Sequence, residues 1–177
     1  IYHMPFHLLY YFKYFMTWLS WSQLVFSNEN AILSLRFLVQ SVNSIAGEDV
    51  RVSKRIFLPG KRLKGFEYGR IGPKDGADFV GGNYATALNF ATTLPGLFSD
   101  LENIDFSFFV DAGNVWGVDY NDSLDSNSKI RSSTGLAIDL LTVIGPLNFS
   151  LAEAISKASS DKTESFRFNI GTSFWWN

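Results

Sequence analysis

From residue 83 to 171 the chain alternates oily with polar or small side chains at a period of two, segment after segment. That alternation limits the fold more than any other feature. Tyr84, Thr86, Leu88 and Phe90 face one way, and Asn83, Ala85, Ala87 and Asn89 the other. Ile104, Phe106, Phe108 and Val110 oppose Asp105, Ser107, Phe109 and Asp111. Leu136, Ile138 and Leu140 oppose Arg131, Ser133, Gly135 and Asp139, and Leu147, Phe149 and Leu151 oppose Asn148 and Ser150. Phe166, Phe168 and Ile170 then oppose Arg167, Asn169 and Gly171. Successive side chains of a strand point to opposite faces of its sheet. The chain is therefore predicted to be all-β, with one oily face and one polar face.

Two architectures carry such strands. In a soluble β-sandwich the oily faces pack against each other. In a transmembrane barrel they face lipid, and strands of about ten residues cross the bilayer at a tilt. The predicted strands have that length. The composition points the same way: 17 Phe, 5 Trp and 7 Tyr stand beside only 18% charged residues, at a mean hydropathy of +0.05. Aromatic residues favour pleated surfaces, and such a hydropathy is high for a soluble chain and low for a helical membrane bundle. The expected fold is an antiparallel transmembrane β-barrel of about eight strands. Earlier strands are expected at 17–27, 31–41 and 50–58. Residues 1–16 are aromatic, and Pro5 and Lys13 interrupt them. They read as a barrel strand with an aromatic girdle rather than as a membrane helix or a signal peptide. Connections at 59–80 and 117–129 are long and the one at 142–146 is short. Barrels keep short turns on the periplasmic side, so the C-terminus is expected to be periplasmic.

Other chemistries find little support. A net charge of −2 argues against a nucleic-acid surface. The absence of Cys excludes disulfides, thiolate metal sites and a Cys nucleophile. His3 and His7 have zinc-helix spacing, but Pro5 lies between them. Asp119, Asn121, Asp122 and Asp125 lack the Gly and terminal Glu of a Ca²⁺ loop and read as solvated. No cofactor, metal or catalysis is expected.

The connection at 59–80 is too polar and Gly-rich for a strand, and structureless loops of that length are usually functional or disordered. Lys64 within it seeks a buried partner, and Asp111, on the polar face of its strand, offers one.

Residues 50–176 resemble the C-terminal part of the barrel in the BamA-like outer-membrane assembly factor family, the bacterial surface antigen family. Leu63, Lys64, Gly65, Phe66 and Glu67 match its Val-Arg-Gly-Phe loop motif. Arg70 to Lys74, the pair Gly81 and Gly82, and Ile144 to Leu147 follow in order. Phe109, Asp111 and Gly113 match its Phe-x-Asp-x-Gly strand. The resemblance divides the chain into partial barrel strands at 1–49 and C-terminal barrel strands at 50–177. It implies that the loop enters the lumen and that Lys64 locks onto Asp111, with Gly65 supplying a turn and Phe66 packing on the wall. Two departures stand out. Lys64 replaces the usual Arg, with Arg62 as a possible substitute, and Asn89 stands where a second acid is often found.

The resemblance also assigns the last strand to a lateral seam, where an incoming chain adds by β-augmentation. Phe168, Asn169, Gly171, Phe174 and Trp176 fit the C-terminal sorting pattern of such barrels, with Gly171 as the expected kink. The implied partners are nascent outer-membrane β-barrel proteins, outer-membrane lipid, and periplasmic lipoproteins or chaperones. The implied function is barrel-protein assembly. The competing readings are a secretion transporter of the same superfamily, a passive pore, and a soluble β-domain enzyme.

Overall fold

The computed structural model describes residues 14–27 (as backbone), 31–45, 48–95, 97, 103–121, 124, 129–143 and 145–171. Its framework is one antiparallel sheet of seven strands. In chain order these are β1 (Tyr14–Ser27), β2 (Ile32–Ser44), β5 (Tyr84–Pro95), β6 (Ile104–Trp116), β7 (Arg131–Thr142), β8 (Gly145–Ser156) and β9 (Phe166–Ile170). Each pairs with the next, the meander of a barrel wall. Two short strands, β3 (Lys74–Asp75) and β4 (Asp78–Phe79), form a separate hairpin.

The alternation lands as the side chains require. Thr92, Phe108, Leu136, Leu151 and Phe166 are successive cross-strand partners from β5 to β9. Phe108, Leu136, Leu151 and Phe166 are all exposed, as are Leu35, Phe37, Leu88, Phe90 and Val110 on β2, β5 and β6. An exposed apolar belt this continuous is what a lipid-facing surface presents. The opposite face is polar and covered: Asn89, Ser107, Asp111, Arg131, Ser133 and Ser150 are all buried there.

What covers that face is the long connection at 45–83. The structure corrects the expected strand at 50–58, which is instead part of this connection. Residues Val52–Lys54 form a 3-10 turn, and only Ile56 makes a β-type bridge, to Gly82. The reason is topological. β2 and β5 already pair from Ile32↔Thr93 to Ser41↔Tyr84, so no free edge remains between them for another strand. The apolar residues of the stretch serve a different purpose. Leu58 joins Leu63, Phe66 and Ile71 in a small core against Leu38 of β2, Ala85 and Ala87 of β5 and Val115 of β6. The alanines leave room for the connection to approach. Gly113 does the same, since a Cβ there would lie 2.9 Å from the Leu58 side chain.

Among the described residues β9 pairs with β8 from Leu147↔Ile170 to Leu151↔Phe166. Among the described residues β1 and β9 are the margins of the sheet. Phe174 and Trp176 of the expected sorting pattern, and the aromatic stretch at 1–13, lie outside the described residues.

Candidate functional site

The tip of the long connection is anchored on the covered face. A second 3-10 turn at Gly60–Arg62 and a left-handed turn at Gly65, with φ 87°, aim Lys64 at the wall. Its Nζ lies 2.8 Å from Asp111 Oδ2, and its backbone N–H donates to the same oxygen at 3.1 Å. Asn89 is the direct cross-strand partner of Asp111, and its Nδ2 donates to Asp111 Oδ1 at 2.8 Å. Asp111 is 0% exposed, and both its oxygens are satisfied. A buried carboxylate is tolerable only when so partnered. Lys64 Nζ also stands 4.0 Å from the centre of the Phe109 ring, a cation–π contact.

The two departures from the motif fit together in this geometry. Asn89 neutralises no charge, but it bridges: the same Nδ2 donates to the Arg62 carbonyl at 2.8 Å. It thereby ties loop and wall, which a second carboxylate, lacking a donor, would not do. Lys64 reaches Asp111 itself. Arg62 does not take its place and meets Asn89 Oδ1 at 3.4 Å instead. Burial pushes the Arg62 guanidinium below its usual value; nearby Arg36 adds to that, and Asp111 opposes it. A cavity of about 480 Å³ lies beside the anchor, with Arg36, Lys61, Lys64, Asp111, Asp139 and Arg167 among its lining.

Gly65 is where the tip touches β7 and β8. A Cβ added there would lie 3.0 Å from Ser133 Cβ and 3.3 Å from Ala152 Cβ, on a backbone that L side chains rarely adopt. Ser133 Oγ donates to the Lys64 carbonyl. Gly65→Ala is therefore expected to cost about 1–2 kcal/mol in backbone strain alone. Trypsin cleavage of the intact protein at Arg62, Lys64 and Arg70 should rise accordingly; an unchanged digestion pattern would contradict the contact. Phe66 is 2% exposed, within the small core described above.

A second attachment was not legible in the sequence. Beyond β8 the chain at 157–165 runs along the loop tip. Glu67 N–H donates to the Lys162 carbonyl, Glu164 N–H to the Gly65 carbonyl and Lys162 N–H to the Arg70 carbonyl, at 3.0–3.1 Å. Phe66 and Thr163 are bridge partners. Asp161 pins this strap. Its carboxylate takes Arg131 Nε at 2.9 Å and Nη2 at 3.0 Å, with both side chains 0% exposed. Arg167 on β9 adds a further tie, donating to the Phe66 carbonyl and to Glu164 Oε2. At the far end of the connection Asp119 accepts from Val50 N–H at 2.9 Å and from Asn83 Nδ2. It thus fastens the loop instead of being merely solvated. Among the described residues no group of His, Asp or Glu is arranged to hold a metal.

The site is a loop anchored on the polar inner face by a Lys-Gly-Phe tip, beside Asp111. The Omp85 superfamily domain matches residues 4–174. The chain belongs to the Omp85 superfamily. Its sheet is part of an outer-membrane β-barrel. Among Omp85 relatives it is similar to the outer membrane protein assembly factor BamA of Neisseria meningitidis, at 29% identity over 63% of this chain and 17% of the relative. It is also similar to a SAM50-like protein of Schizosaccharomyces pombe, at 28% identity over 84% of this chain and 33% of the relative. Among solved structures it resembles BamA of Haemophilus ducreyi lacking POTRA domains 1–3, with a TM-score of 0.80 and 27% identity. That match covers 89% of this chain and 34% of the solved one. This Omp85 chain thus spans about a third of the length of these relatives, or less.

Proposed function

We propose that this chain is the locking half of a barrel that inserts β-barrel proteins into a bacterial outer membrane. The observation that carries the reading is the Lys64–Asp111–Asn89 anchor. It fixes the long connection against the inner wall. The connection acts as a plug-like lock in the lumen. Lys64, Gly65 and Phe66 are its tip, Asp111 and Asn89 its receptor, and Gly113 the clearance that lets it seat.

The seam is the second part of the reading. β9 lies at the margin of the sheet among the described residues, and edge strands are templates for pairing with another chain. Phe168 and Asn169 lie on opposite faces of it. Gly171 follows, packed so closely on Pro146 that an added Cβ would lie 2.9 Å from its ring. Incoming barrel strands would add at this margin. The short two-residue connection between β7 and β8 would face the periplasm, as would the C-terminus. Lipoproteins or chaperones would act from the periplasm through repeats N-terminal to the barrel. The role is non-catalytic: strand exchange and lipid distortion replace chemistry.

Site-specific photocrosslinking at Asn169, in the full chain in living cells, tests this. Adducts with many nascent outer-membrane barrels are expected. A single exported partner would instead identify a secretion transporter. No adducts, in correctly inserted protein, would leave β9 as plain wall.

A further inference from the structure

We infer that Arg167 makes the seam strand and the loop tip one mechanical unit, so that β9 leaves β8 only when the tip leaves the wall. The inference rests on the reading of β9 as a seam and deepens it by naming what controls opening.

The Phe66 carbonyl receives its bond not from the loop or from the strands that carry Asp111 and Ser133, but from Arg167 of β9. Arg167 is held for this by Glu164, which accepts from both Nε and Nη2. Its guanidinium closes onto Gly60, where any Cβ would collide with it. Glu164 belongs to the strap, and its own N–H donates to the Gly65 carbonyl at 3.1 Å. One cycle of contacts therefore runs from the tip to β9 and back through the strap. Peeling β9 away would uncouple Arg167 from a buried carbonyl and leave that acceptor unsatisfied, a cost borne in full when the group stays buried. If the tip has already withdrawn, both groups are solvated and the penalty disappears. The lock at Asp111 and the seam at β9 do not touch, yet they share the tip as a common element. That is the physical condition for coupling between them.

Arg167 is thus a positioning residue: it acts through the tip and needs no contact with a client. The test is a double-mutant cycle read by amide hydrogen exchange on the full chain in lipid nanodiscs. Asp111→Asn alters only the lock on β6. It is expected to raise exchange of the β9 amides bonded to β8 by about ten-fold or more. In an Arg167→Met background, where β9 is already uncoupled, the same change should move β9 by less than about two-fold while still loosening residues 64–67. Exchange of the β6–β7 ladder and heat-modifiable gel mobility report that the barrel is intact. If Arg167→Met does not fold, Glu164→Gln weakens the same tie with less disturbance and should shrink the Asp111→Asn effect on β9. β9 exchange that ignores Asp111→Asn while residues 64–67 loosen would overturn the inference. Client crosslinking at Asn169 is a separate readout. Its failure would remove the assembly reading and leave this coupling standing, and the reverse outcome is equally distinguishable.

Discussion

Asp161→Ala is expected to destabilise the protein by about 3–5 kcal/mol, because it takes a two-pronged carboxylate partner from a buried guanidinium. The side chains of Arg131 and Asp161 are both 0% exposed, and their two-pronged contact replaces the water each would otherwise bind. Asn114 and the Lys129 carbonyl also accept from Arg131, but neither carries a charge. The Asp161 carboxylate does local work too, accepting from Ala158 N–H at 2.6 Å to close the turn of the strap. Its loss should free residues 157–165 and, through their backbone bonds, the loop tip. Urea unfolding in detergent micelles, followed by tryptophan fluorescence, reads the effect as a lowered midpoint. A midpoint equal to that of the unaltered protein would show that the pair is solvated. Asp161→Asn, which keeps the shape and one acceptor, should lie between the two.

Asp111→Ala is expected to have a comparable effect, again about 3–5 kcal/mol, since it strips the partner from Lys64 and from two further donors. Lys64 differs from Arg131 in one respect: it is 19% exposed, so its freed ammonium can regain some water. The cost should therefore fall at the lower end of the range and appear mainly as loop release. Asp111→Asn retains one acceptor and should release the loop less. Limited proteolysis at 59–80 measures both, with the order Ala, Asn, unaltered chain in decreasing sensitivity. Equal sensitivity in all three would mean that the anchor holds nothing.

The strands were legible because each faces two solvents. Phe108, Leu136, Leu151 and Phe166 need an apolar surface, and their neighbours Ser107, Ser133, Ser150 and Arg167 need a polar one, so the period of two is imposed on the sequence itself. Asp111 was legible for the same reason: it is an acid on the inward face, in a motif. Residues 50–58 misled because Ile56 and Leu58 are apolar for a different purpose, the small core under the loop. Periodicity cannot distinguish a strand from a segment packed on one. The strap was not legible because Asp161, Thr163 and Glu164 lie in a stretch rich in Ser, Lys and Asp that reads as solvated. One signal was available. Arg131 opens β7 on the inward face, and its cross-strand partner is Gly113, which carries no charge. A buried Arg with no acid across the ladder requires one from a loop.

The central claim is that Lys64 holds the loop on Asp111 inside the barrel. It is tested most directly by solid-state NMR on protein in lipid, with Lys labelled at ¹⁵Nζ and Asp at the ¹³C carboxyl. Among the described residues the other ion pairs use Arg, so a Lys–Asp dipolar contact reports this anchor. A coupling corresponding to less than about 4 Å is predicted, and it should vanish in Lys64→Arg, which removes the labelled nitrogen while keeping the charge. A spectrum with no such contact, or one that persists unchanged in Lys64→Arg, would contradict the account.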